Sequence, residues 1–581
     1  MAHSDELHHA LAATVGKRHV FTGEGRTAYY RTGFRYGKGS ASAVVFPGTL
    51  VEQWRVLQVC VEHGAAIVMQ AAKSGLTGGS VPSGDDYGRP VVIVNVMRIK
   101  RIVLLDGGKQ AIALPGSTLH ELTELLRPLG RVPHSVIGST TIGATVVGGI
   151  ANNAGGALCK RGSSYTRLSM FARVNENREL ELVNQLGIEG LGEDPETILS
   201  RLEREPVAPD AVVARDVPAS DHAYADRIRD LQANVPNRYN TDPRRLCGVS
   251  GSAGKVAAFA VRVDTFPAPK RRAVFYLGTN DPLDFVRLRQ DVLGGFTNLP
   301  EMGEYMNRQT FDTAERYGKD VFLSIKYLGT ERLPKAYKLK AASEHVLNQV
   351  PLLPKYLPDR VLNYASRLFP QHLPKSLRDY RNRFEHLLLL DTTDDAIEET
   401  RAYLAGRWKG QGSGDNDYFE CNQEEQAAGL RHRFAAAGAG LRYQTMHSAT
   451  TEEELALDIA RISRDDSWTQ PPPAEVTDHL DRLLRYGHFF CYVFHDIYIF
   501  RKGTDLERMK QILLGQLDET QAKYPAEHNV GHLYKADDTL QKFYAELDPT
   551  NTFNPGIGKT GKGVIEPQGE PAAEKEPSLS K

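Results

Sequence analysis

The sequence predicts an α+β protein of more than one domain, on three observations. Its 581 residues exceed the roughly 250–300 at which a single core stops growing. Short β-branched runs alternate with stretches of helical spacing. After Lys326 the composition shifts to prolines, short aliphatic pieces and cations. With 41% apolar and 25% charged residues, general disorder, collagen-like repeats and coiled coil are excluded. The 71 Lys and Arg against 72 Asp and Glu leave a net charge of −1, so no global field attracts nucleic acid and any basic patch is local. Cys60, Cys159, Cys247, Cys421 and Cys491 are scattered without a C-x-x-C. That suits a reducing compartment and neither a disulfide framework nor a thiolate metal site. No apolar run approaches the roughly 20 residues that span a bilayer, which predicts a chain that is cytosolic or clings to a membrane without crossing it.

In order along the chain, 41–46 (ASAVVF), 66–70 (AIVMQ) and 91–96 (VVIVNV) read as strands, with a helix over 54–63 between the first two. From 112 to 263 glycine-rich turns alternate with a helix over 119–129 and strands such as 257–263, completing one large N-terminal domain. Between 332 and 383 there are 11 Lys and Arg against Glu344, Asp359 and Asp379, a local net of +8. Beside Tyr337, Tyr356, Leu357, Tyr364, Leu368 and Phe369, these cations suit adhesion to an anionic membrane surface, at about 1 kcal/mol per cation near the lipid. A solvated linker-like face is the plainer reading. Past Glu385 a second α+β unit is expected, with a helix over 453–462, a proline-rich break at 469–474, a helix over 476–485 and the aromatic strand FFCYVF. The tail at 562–581 is too polar to pack and reads as disordered.

Two small-residue stretches invite a ligand. The loop Ala71-Ala72-Lys73-Ser74-Gly75-Leu76-Thr77-Gly78-Gly79-Ser80 lies between strands, where backbone N–H groups and hydroxyls can cradle a pyrophosphate. It matches neither the Rossmann nor the P-loop fingerprint. Gly138 to Gly156, GSTTIGATVVGGIANNAGG, is the second. A third glycine-rich piece at 556–563 has Gly563 where a Walker A loop needs Ser or Thr, and is rejected as one.

Together the first loop, the I-G-A-T-V-V-G-G-I-A-N-N-A-G-G segment and the D-P-T-N-T-F-N-P-G-I-G ending (548–558) resemble the vanillyl-alcohol-oxidase, or PCMH, type of FAD protein. More narrowly, residues 24–39 (EGRTAYYRTGFRYGKG), 304–308 (EYMNR) and 525–534 (PAEHNVGHLY) are similar to the bacterial respiratory, quinone-dependent D-lactate dehydrogenases. The resemblance implies a PCMH-type FAD-binding domain over 1–268 completed by 520–561, and an antiparallel cap domain over 269–328 and 385–519. It also implies a basic membrane-docking insertion over 329–384. Ala72 to Ser80 with Ser139, Gly143, Val146, Gly149 and Gly156 would hold the flavin, and backbone near Val261 would flank the adenine. Related enzymes attach flavin through a first-loop histidine, and this loop has none, so FAD is expected to be noncovalent.

His488 and His495, with the later Glu527-His528, offer two imidazoles and a carboxylate for a divalent ion such as zinc or manganese. An odd separation puts the two histidines on opposite faces of an ideal strand, so a turn or bulge must intervene if both bind. The resemblance implies His488, His495 and Glu527 as ligands, His528 as general base and Arg431 as the substrate-carboxylate clamp. It further implies oxidation of D-lactate to pyruvate, electrons passing to a membrane quinone, and a peripheral position on the cytoplasmic side of the inner membrane. A flavin oxidase using oxygen on another 2-hydroxy acid or alcohol, and a non-enzymatic nucleotide- or membrane-binding module, are the alternatives.

Overall fold

The structure is a computed structural model describing residues 2–329, 357–408 and 415–565, and the described residues form three sheets. Strands β2 (Ala43–Val45), β3 (Ala66–Gln70) and β4 (Val91–Asn95) are almost wholly buried, as parallel strands covered by helices are. β2 and β3 both pair parallel with β4, and β1 (Val20–Phe21) adds an antiparallel edge to β2. The helix Leu50–Glu62, N-capped by Thr49, makes the crossover. The free side of β3 receives the far end of the chain: Ile67 N donates to Thr552 O at 2.9 Å and Asn554 N to Ile67 O at 2.7 Å. Both chain ends thus build one unit.

The second sheet runs β5 (Ile102–Leu105), β6 (Gln110–Ala113), β10 (Ala257–Pro267), β8 (Ser169–Val174), β9 (Leu180–Asn184), with β7 (Arg131–Pro133) on the far end of β10. Trp54 of the crossover helix meets Phe259 of β10, joining the first two sheets in one apolar core. Between Pro267 and Arg272 the chain passes to the third sheet. Its order is β14 (Asn416–Glu420), β11 (Arg272–Thr279), β13 (His386–Thr393), β12 (Met302–Asn307), β16 (Leu480–His488), β17 (Val493–Phe500), β15 (Leu455–Ala460). Helices Arg308–Tyr317 and Gln423–Met446 cover one face; Phe285, Trp408 and Phe489 pack the other.

Three expectations are corrected here. Residues 453–462 form no helix: Leu457 and Ile459 face the apolar side shared with Met509 and Leu513 while Asp458 faces the other, a period of two that their helix-favouring Leu, Ala and Glu content disguises. Residues 476–485 are a short helix, Ala474–Thr477, followed by β16. FFCYVF is not one strand, because Phe489 to Tyr492 is the turn between β16 and β17, closed by Tyr492 N donating to Phe489 O at 3.1 Å with Tyr492 at φ 58°. Cross-strand partners outweighed local propensity in the first two.

Of the basic insertion, residues 330–356, including Tyr337 and Tyr356, lie outside the described residues, as does most of the tail. In the rest, Arg442 clamps the helices Lys319–Leu328 and Leu357–Ser366 through Asp320 at 3.0 Å and Asp359 at 2.7 Å. Val361, Tyr364, Leu368 and Phe369 stay exposed, Leu368 at 88%. No helix among the described residues is long and apolar enough to cross a membrane.

Candidate active site

The β16–β17 hairpin supplies the turn that the histidine spacing requires. His495 pairs with Tyr486 and His488 with Val493, so the reversal returns both imidazoles to one face. Glu304 on β12 lies opposite His488, and Asp458 on β15 opposite His495. His488 Nδ1 contacts Glu304 Oε1 at 2.7 Å and its Nε2 lies 3.3 Å from Glu527 Oε2. His495 Nδ1 is 3.1 Å from Asp458 Oδ1, with its Nε2 3.8 Å from the same Glu527 oxygen. Each ring is held by a carboxylate at Nδ1, which turns Nε2 inward, the arrangement by which outer carboxylates fix ligating histidines. One ligand atom from each of His488, His495 and Glu527 falls within 4.8 Å of the others.

Glu527 is fixed from several sides. Its N–H donates to Asp458 Oδ2 at 2.8 Å, and the Arg238 guanidinium pairs with its carboxylate. A Cβ on Gly155 would lie 2.5 Å from Glu527 Oε1, so only glycine lets the second small-residue stretch approach so closely. His528, a third exposed, reaches Asp458 Oδ2 at 3.8 Å. Burial pushes the Glu527 carboxyl up, but His488 and Arg238 outweigh it and hold it far below the carboxylate range. Burial likewise opposes the charge on Glu304 and Asp458, yet Arg433 with His488, and His528 with His495, keep both low. Burial lowers His488, but Glu304 and Glu527 raise it to about 10. The three ionised carboxylates are thus matched by the Arg238 and Arg433 guanidiniums and by the charge held on His488.

The two glycine stretches meet this cluster. Gly531, at φ 55°, has its Cα against Thr77 O, and His532 N donates to Thr77 O at 3.0 Å. The Asn529 side chain packs on Gly79 and bonds the Asn152 side chain. Between the stretches Val136 is 50% exposed although its carbonyl abuts Gly156, leaving an apolar wall suited to a flavin ring. Gly75, Gly138 and Gly143 face open space. Asn153 Oδ1, Ser252 Oγ and Asn554 Oδ1 are buried without a partner among the described residues, as acceptors awaiting a ligand would be. These residues fit FAD. Ala72, Ser74, Leu76 and Ser80 share the first loop, and Ser139, Val146 and Gly149 the second stretch, with Gly149 against Ser164. Lys73 turns its amine away, to the carbonyls of Tyr29 and Thr32. Val261 sits mid-strand between Ala113 and Ser169.

Arg431 is not brought to the cluster. Its guanidinium lies 6.0 Å above the Phe322 ring, whereas Arg433 pairs with Glu304 at 2.6 Å and stacks 4.5 Å over Tyr486. Two residues along a helix is a rotation of about 200°, so the two arginines cannot share a face. Glu304, Arg238, Arg433 and Asp458 had no role in the sequence reading. Glu304 stood within a motif already singled out, and the L-A-L-D-I-A alternation around Asp458 was its signal.

The fold is of the p-cresol-methylhydroxylase type, and the chain carries an FAD-binding domain. Residues 41–174 match an FAD binding domain model. The chain superposes on 4-ethylphenol oxidase from Gulosibacter chungangensis with TM-score 0.56 at 12% identity, covering 97% of both chains. On p-cresol methylhydroxylase the TM-score is 0.54 at 12% identity, over 97% of this chain and 98% of that one. The chain belongs to the quinone-dependent D-lactate dehydrogenase family. Residues 274–564 match the model described as D-lactate dehydrogenase, membrane binding. The chain is 50% identical to the quinone-dependent D-lactate dehydrogenase of Escherichia coli (strain K12), over 95% of this chain and 96% of that protein. It is 48% identical to that of Haemophilus influenzae, over 95% and 97%.

Proposed function

We propose that the protein oxidises D-lactate to pyruvate on noncovalently bound FAD and passes the electrons to a membrane quinone. The observation that carries this reading is the convergence of His488, His495 and Glu527, with Glu527 set against Gly155 of the second small-residue stretch. Arg433 receives the substrate carboxylate, for which a planar guanidinium is suited, while its pairing with Glu304 fixes its position. His528, oriented by Asp458, takes the hydroxyl proton as general base. His488, His495 and Glu527 would hold a zinc or manganese ion, which when bound supplies polarisation and acidification of the substrate hydroxyl. Bound FAD supplies the two-electron acceptor for the C2 hydride. Burial of Glu304, Asp458 and Glu527 excludes water from the ring nitrogens they orient.

Exposed Val361, Leu368 and Phe369, with exposed Arg367 beside them, support docking on an anionic membrane surface. The experiment is the visible spectrum of the purified protein under anaerobic D-lactate. Flavin bands that bleach with D-lactate and not with L-lactate are expected; bands indifferent to D-lactate would refute the substrate. Hydrogen peroxide formed at the rate of turnover would instead favour an oxidase.

A further inference from the structure

Residues 32–38 form a small hairpin: Thr32 bridges Lys38, and Gly33 N donates to Gly37 O at 2.8 Å. It belongs to the flavin-binding half. Gly37, at φ 91°, packs so close to Gly78 that a Cβ would lie 3.2 Å from the Gly78 Cα, and Lys73 Nζ bonds Thr32 O at 2.6 Å. Yet its tip crosses to the other half. Arg35 Nη2 donates to Ala437 O at 3.2 Å and lies 3.2 Å from Glu454 Oε1, at the entrance to β15.

Ala437 stands one helical turn beyond Arg433. Tyr486, whose ring packs 5.2 Å from that of His495, carries Arg433 over its face and also feels the charge of Arg35. Two guanidiniums, one from each half, therefore meet the same stretch of the helix Gln423–Met446, Arg433 rising from it over Tyr486 and Arg35 resting on its Ala437 carbonyl. A mere staple would be complete with Glu454. Arg35 uses only Nη2; its Nε and Nη1 make no hydrogen bond among the described residues, and its side chain keeps 23% exposure. A guanidinium has five donors in a fork matched to a carboxylate.

We propose that Arg35 is a second carboxylate-binding group of the substrate site, delivered by the N-terminal hairpin so that the 2-hydroxy acid is held between the flavin-binding half and the sheet bearing the histidines. This rests on the 2-hydroxy-acid reading above. Arg433 and Arg35 each have a carboxylate partner, Glu304 and Glu454, and Arg35 keeps Nε and Nη1 of its fork for the substrate anion. The second cation comes from a segment some 400 residues distant in sequence, which makes the site complete only when the two halves are closed on each other.

The test uses the flavin-loaded full chain with a soluble quinone, and three variants. R35A should raise KM for D-lactate at least tenfold with kcat changed less than about threefold and flavin content unchanged. R35K should recover part of that loss, and D-lactamide, which lacks the carboxylate, should be turned over equally by wild type and R35A. E454Q separates the roles: it breaks the staple and should leave KM near wild type. If E454Q reproduces R35A, or if R35A leaves KM unaltered, the proposal is overturned. Failure of the parent reading would show earlier, as wild-type flavin that D-lactate does not bleach.

Discussion

Asp458 touches three of the groups at the site: its carboxylate contacts His495 and His528 and accepts the Glu527 N–H. Replacing it by Asn keeps the size and removes the charge. Because outer carboxylates are worth roughly 10–100-fold when they orient ligating or catalytic histidines, D458N should lose turnover by that factor while flavin absorbance per protein stays unchanged. H528A should lower kcat further, by about 100-fold or more if it is the base, again with flavin retained; wild-type kcat would remove His528 from the chemistry. R433K should cost more in kcat/KM than R431A, because the Arg431 guanidinium lies over the Phe322 ring and away from the cluster. That His488, His495 and Glu527 belong together was legible through the family resemblance and not from spacing, since 18 histidines make chance pairs common and only the pairing of β16 with β17 shows which rings share a face. Glu304 and Arg238 were not, since each reaches its partner across more than 180 residues, a separation that no local pattern encodes.

At the scale of elements, the parallel strands β2 to β4 were readable because burial on both faces leaves continuous β-branched runs. The strands bearing the site were harder. β15 and β16 are rich in Leu, Ala and Arg, residues that also favour helices, and pairing with β17, and of β16 with β12, selects the extended form. The turn Phe489 to Tyr492 is apolar because it is buried, Phe489 and Phe490 at 0% exposure, so it carried none of the Gly, Asn or Pro that marks a surface turn. The contact between Gly155 and Glu527 ties the second small-residue stretch to the residues gathered at the hairpin's histidine-bearing face. Gly155→Ala would place a methyl 2.5 Å from Glu527 Oε1, and Glu527 cannot retreat because Arg238 and Asp458 hold it. This variant should lose turnover by more than tenfold, with flavin content falling as well; full activity would show that Glu527 need not sit where it does.

The whole molecule carries a pH dependence set by buried imidazoles. Burial is the first cause that lowers His134 to about 4, His372 to about 4 and His432 to about 3, all from an ordinary 6.5. Below pH 6.5 the unfolded chain binds protons that the folded chain refuses, so stability falls as pH drops toward 4, by about 1.4 kcal/mol per pH unit for each such histidine. The urea midpoint should thus fall between pH 7 and 5, and His432→Leu, which keeps an apolar partner for Phe311, should make that fall shallower. The membrane face sets the last expectation. Leu368 at 88% and Phe369 at 50% exposure project beside Arg367, which stacks on Tyr364. Neither side chain belongs to the core, so both can enter a lipid interface without unfolding anything, and burying an apolar side chain of this size gains about 1.5–3 kcal/mol. The double variant L368D/F369D should therefore bind anionic vesicles at least 100-fold more weakly, while turnover with a water-soluble acceptor is unchanged because the site is built from other elements. Raising salt should weaken wild-type binding to anionic vesicles through the cations. Undiminished vesicle binding by the double variant would move the docking surface off this segment.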